Sequence, residues 1–146
     1  MSDGVEVHVG WTGHSRIDFD KKKIRKVMRA RGRDIQKEAR RLVARRALSQ
    51  PGDYPGRDSG TLWRSIKSKV SRSGFLVRIA PQKTPEMGKD FYPAFLWYGV
   101  RRTAGEEGSG WRVEPRKNYM TEALDKRREV SETAIMAALK DALIPR

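Results

Sequence analysis

Apolar positions in this chain follow two periods, and the switches between them divide it into elements. Over residues 21–48, Ile24, Val27, Met28, Ile35, Ala39, Leu42 and Val43 recur at spacings of three, four and seven. That spacing predicts one long amphipathic helix, capped by Asp18 or Asp20. Gly32 falls inside the pattern and predicts a bend or frayed turn, because glycine costs about 1 kcal/mol relative to alanine in a helix. Before the helix, Val5-Glu6-Val7-His8-Val9 alternates as a half-buried edge strand should. Residues 49–60 concentrate turn formers and read as a loop.

Thr61 to Ile66 predict one helical turn. Ile66, Ser68, Val70 and then Phe75, Val77, Ile79 alternate on either side of Arg72-Ser73-Gly74, the pattern of a β-hairpin over about 66–80. Residues 91–99 hold five of the chain's twelve aromatic residues. This run is too short to cross a membrane and is expected to be buried against protein, on a short helix over 92–98 stopped by Gly99. Residues 99–117 read as a long exposed loop with a strand near Trp111 to Val113. Finally, Met120, Ala123, Leu124, Ala134, Ile135, Ala138, Leu139 and Ala142 predict a second long helix over about 119–143.

The order of elements predicts an α+β fold, with two long amphipathic helices packed on a small, mainly antiparallel β-sheet and long exposed loops. No repeat or linker divides residues 1–146, so a single domain is expected. Its 146 residues suffice to bury a real core.

Charge adds a partner class to this picture. The net charge is +14, and residues 21–46 hold thirteen bases against Asp34 and Glu38. A helix this basic is an electrostatic footprint for an anionic surface, whether nucleic acid or acidic protein. The residues expected to carry it are Lys22, Arg25, Lys26, Arg29, Arg33, Arg40 and Arg41, with Arg101 and Arg102 farther along. Sequence reading of bases is not implied, since no DNA-binding motif accompanies the helix.

Catalytic chemistry is poorly supported. The chain has no cysteine, which excludes disulfides and thiolate metal sites. His8 and His14 fall short of the usual ligand sets, so neither metal nor cofactor is expected. The glycine-rich 105–110 stretch is acidic, follows no strand and lacks the Lys-Ser/Thr that grips phosphates. Glu106 with Glu107, and Asp53 with Asp58, sit among turn formers and read as solvated carboxylates rather than acid/base pairs. The start of the chain lacks the pattern of a signal peptide, and no stretch approaches about 18 apolar residues. A soluble, cytoplasmically made protein with no membrane partner is expected.

Three segments in order resemble the neck or tail-completion proteins of long-tailed bacteriophages, which include head–tail joining and tail-terminator-like subunits. Gly60-Thr61-Leu62-Trp63-Arg64-Ser65-Ile66 matches that family's Gly-x-Leu-x-x-Ser-Ile at the opening of its hairpin. Residues 92–99 are similar to a segment that begins Tyr-Ala and ends with an acid, an aromatic and glycine; here Pro93 and Trp97 depart from it. Asn118-Tyr119-Met120-Thr121-Glu122-Ala123-Leu124-Asp125 resembles the Pro-Phe-Leu-Arg-Pro-Ala-Leu-Asp start of the family's C-terminal helix, with Asn118 and Glu122 in place of prolines.

The resemblance spans about residues 20–143 and implies a non-enzymatic virion protein that forms a ring, hexameric or twelve-fold, at the head-proximal end of the tail or at the head–tail junction. Its implied partners are further copies of itself, neighbouring neck, connector or tail-tube proteins, and non-specifically the genomic DNA in the channel. Under it, Leu62, Trp63, Tyr92, Phe95, Leu96, Trp97, Tyr98, Tyr119 and Met120 form the core or the interface between subunits. The basic helix would then face DNA or an acidic neighbouring ring. The alternative is a free nucleic-acid-binding protein that uses the 21–46 helix.

Overall fold

The structure, a computed structural model, describes residues 18–46, 49–105, 107 and 110–144. The expected strand at 5–9, both histidines and Glu106 lie outside them. The chain enters through a two-residue strand, β1 (Asp18–Phe19), and Asp20 then caps helix α1 (Lys21–Leu42). Asp20 Oδ1 accepts from the backbone N–H of Lys22 at 3.0 Å and of Lys23 at 3.4 Å, satisfying two of the donors a helix start leaves open.

Helix α1 continues unbroken through Gly32, so the turn there is not frayed. The glycine serves a close approach instead: a Cβ there would collide with the Ser68 hydroxyl and stand 2.7 Å from Val77 Cγ2. The helix also stops earlier than the expected 48. Val43 is buried in the core and leaves helical geometry, and the Arg45 carbonyl accepts from the Arg57 N–H at 2.8 Å instead of closing another turn.

The single helical turn forms as α2 (Thr61–Ser65), followed by the hairpin of β2 (Ile66–Val70) and β3 (Val77–Pro81). Its register pairs Ile66 with Pro81, Ser68 with Ile79 and Val70 with Val77. Phe75 was expected on the second strand but belongs to the turn. There, Ser71 Oγ accepts from Gly74 N at 3.2 Å and Leu76 N at 3.3 Å, and Ser71 N donates to the Leu76 carbonyl at 2.8 Å. Phe75 instead meets Phe19 edge-to-face, with ring centroids 5.8 Å apart.

The aromatic segment forms helix α3 (Tyr92–Tyr98), which stops at Gly99 with φ +72°. Residues 99–117 are more than an open loop, because β4 (Val100–Arg101) and β5 (Trp111–Val113) pair in antiparallel fashion within them. The return strand is anchored where Arg116 N donates to the Leu96 carbonyl at 2.7 Å and Lys117 N to that of Asp53 at 2.9 Å. Helix α4 (Tyr119–Asp141) follows, capped by the Asn118 side chain, and ends two residues before the expected 143. The reason is a further pairing: β6 (Leu143–Ile144) lies antiparallel to β1.

The fold is α+β, with two long helices against antiparallel strands, as expected. Among the described residues those strands are divided among three two-stranded ribbons. Helix α1 spans two apolar clusters. Ile35, Ala39 and Val43 meet Leu62, Ile66, Tyr119 and Ala123 at one end, and Ile24 and Met28 meet Ala142 at the other. No helix among the described residues is long and apolar enough to cross a membrane.

Candidate anion-binding groove and apolar face

Helix α1 and the β2–β3 hairpin are locked together by a few contacts that also shape a groove. Gln36 Nε2 and Arg40 Nη2 both donate to the Ile66 carbonyl, at 2.7 and 2.9 Å, pinning the start of β2 to the helix. Farther along, Gly32 admits Ser68, as above. At the tip, Gly74 has φ +89°, and a Cβ there would stand 2.7 Å from Arg25 Cγ. Thus one glycine on the helix and one in the turn let the hairpin lie close over α1.

Beside this seam runs a groove of about 630 Å³. Arg25, Arg29 and Arg33, one helical turn apart, form one wall, and Lys69 and Arg72 of the hairpin form the other. Gln36, Ser68 and Ser71 supply uncharged hydrogen-bonding groups, and no carboxylate among the described residues lines it. Among the described residues, none of these five cations has a carboxylate within 4.0 Å. Arg25 Nε, like Arg31 Nε and Arg40 Nε, is buried without a hydrogen-bond partner among the described residues.

The remaining bases of the expected anion-binding set are placed differently. Lys22 and Lys26 continue the exposed row along α1 beside Arg29 and Arg33. Arg40, besides holding Ile66, lies over the Trp63 ring at 4.6 Å. Arg41 pairs with Glu38 at 2.5 Å. Arg101 and Arg102 sit on the second hairpin, away from α1: Arg101 stacks over Trp111 at 4.5 Å, while Arg102 donates to the Trp111 carbonyl at 3.2 Å and to that of Glu107. Lys69 and Arg72 were absent from the expected set. Lys69 stands one residue before Val70 and Arg72 two after it, but nothing local says that they face a helix about forty residues upstream.

Glu38 interrupts the basic helix for a structural reason. It is 5 % exposed and draws Arg41 of its own helix together with Arg127 of α4 at 3.2 Å and Lys126 at 4.0 Å. The hydrogen bond from Arg41 is the largest influence on its carboxyl; with that from Arg127, it outweighs the opposing effect of burial and holds the carboxyl below its usual range.

The expected interface residues divide by burial. Leu62 and Tyr119 are core residues, with Trp63, Tyr92, Leu96 and Met120 packed against them. Burial pushes the phenols of Tyr119 and Tyr92 upward. Phe95, Trp97 and Tyr98 instead point outward, with exposures of 41, 47 and 73 %. Trp97 and Tyr98 meet edge-to-face at 6.3 Å. Beside them, Pro55, Pro93, Leu96, Tyr119 and Met120 line an apolar groove of about 280 Å³. The aromatic run therefore has one row in the core and one presented to the surface.

Among the described residues, no group of three or more histidine, cysteine, aspartate or glutamate side chains is arranged to hold a metal ion. What the surface offers is contact: an unneutralised basic groove and, on α3, an aromatic face. Comparison of the chain with protein-family models, with curated proteins and with solved structures yields no match.

Proposed function

We propose that this protein is a non-enzymatic structural subunit of a phage, prophage or phage-derived particle, which forms a ring at the head-proximal end of the tail or at the head–tail junction. It would be made in the host cytoplasm and reside in the virion. The observation that carries the reading is the outward row Phe95, Trp97 and Tyr98 on a helix whose other row is in the core. Large aromatics presented to solvent beside an apolar groove are what a subunit needs to bury against a neighbour, and contacts that close head to tail give rings.

The reading is tested in a head–tail joining assay with particles lacking this chain. Wild-type protein restores joined particles. A Trp97→Glu, Tyr98→Glu variant with an unchanged circular-dichroism spectrum does not. Normal joining by that variant overturns the role given to the aromatic face.

A second reading, a free nucleic-acid-binding protein, is favoured by one observation: no carboxylate among the described residues lines the basic groove beside α1.

A further inference from the structure

We infer that the groove between α1 and the β2–β3 hairpin is a binding site for the phosphodiester backbone of a nucleic acid, built jointly by the two elements. The inference goes beyond the ring reading, since it concerns a site complete on the isolated chain.

The basic helix alone does not define this site. Lys69 and Arg72 come from the hairpin, and they face Arg25, Arg29 and Arg33 because Gly32 and Gly74 remove the atoms that would hold the elements apart. Three other helix cations are paired with carboxylates: Lys23 with Asp141 at 3.0 Å, Arg31 with Asp34 at 3.0 Å, and Arg41 with Glu38. In the groove five cations converge with no described acid. Like charges held together without a counterion repel, so an external anion is the natural complement.

Phosphate fits this lining better than an acidic protein surface does. Protein interfaces centre on apolar or aromatic anchors with charge at the rim. Here Val70 is the one apolar residue in the lining among the described residues, and the exposed aromatics Trp97 and Tyr98 line a different groove. The three arginines repeat at about 6 Å, four residues of helical rise, which suits a ligand that repeats its charge. Their forked guanidinium groups grip phosphate oxygens bidentately, and the Gln36, Ser68 and Ser71 side chains add donors of the kind that contact phosphates. With no aromatic ring in the lining among the described residues, bases are not stacked there, so binding is indifferent to sequence.

The test is fluorescence anisotropy of labelled single-stranded and duplex DNA of random sequence with the full chain, titrated across salt concentrations. Five phosphate contacts give a log–log slope of about −4.5 on duplex DNA. The variant Lys69→Glu, Arg72→Glu, both exposed on the hairpin, is expected to lose at least about tenfold in affinity and to flatten the slope by about 2. Arg45→Glu, Arg46→Glu makes the same charge change at the far end of α1 and is expected to lose less than about threefold. If the hairpin variant does not fold by circular dichroism, Arg29→Gln, Arg33→Gln reads the same site from the helix side. Equal losses in the hairpin and distal variants would mean that net charge acts diffusely, and the site is refuted. Unchanged affinity in the hairpin variant, or tighter binding to polyglutamate than to DNA, also overturns the inference.

Discussion

Glu38 of α1 and Arg127 of α4 meet at 3.2 Å, and through that contact a buried carboxylate joins the two long helices of a strongly basic protein. Glu38→Gln keeps the shape and removes the charge that Arg41 and Arg127 address. It is expected to lower stability by about 2 kcal/mol in urea denaturation, the scale of a hydrogen bond to a charged group. Loss of less than about 0.5 kcal/mol, the range of an ordinary surface change, would refute this role.

The same carboxyl predicts an acid response. Its pKa is lowered in the folded protein, so the stability it contributes is fully present above the ordinary glutamate value, about 4.3. That stability is lost as the pH falls through the lower folded value, because the unfolded chain takes up the proton first. Stability measured from pH 6 downward should therefore fall less steeply in Glu38→Gln than in wild type below about pH 4. Parallel curves would contradict it.

Tyr119 predicts the opposite edge of the pH range. Burial raises its phenol pKa, so the unfolded chain releases that proton first, and stability is lost as pH rises past the ordinary tyrosine value, about 10. Tyr92 is shifted the same way and adds to the effect. Tyr119→Phe should flatten the fall in melting temperature between about pH 9 and 11. An unchanged alkaline profile would show that the ring does not ionise on unfolding.

Gly32→Ala separates helix propensity from packing. In an open helix the change would add about 1 kcal/mol of stability. Here the new methyl meets Ser68 and Val77 across the seam, so a net loss of about 1–3 kcal/mol is expected, of the size seen for overpacking. A rise in melting temperature would mean that the hairpin does not lie as close to α1 as described.

Gly32 also marks where the sequence stops being legible. Its neighbours suggested a helix under local strain, whereas the glycine answers to Ser68 and Val77, more than thirty residues away. Long periodic segments were readable: Ile24 to Val43 as one stripe and Ile66 to Val70 as a strand, while the cap was narrowed to Asp18 or Asp20, of which Asp20 serves. The β1–β6 ribbon was not, because two-residue strands carry no period, and Leu143 looked like helix until Phe19 was seen to pair with it. In the basic face, Arg25, Arg29 and Arg33 were found by charge alone, but Arg40 and Arg41 proved to be held by Ile66 and Glu38. Lys69 and Arg72 joined the groove only through tertiary packing.

The central claim is assembly through the aromatic face of α3. Native mass spectrometry of the purified chain across a concentration series tests it most directly. The account predicts a closed species at a defined multiple of the chain mass, such as six or twelve, which reverts to monomer in Trp97→Glu, Tyr98→Glu. A wild-type chain that stays monomeric throughout, or rings that persist unchanged in that variant, would contradict it.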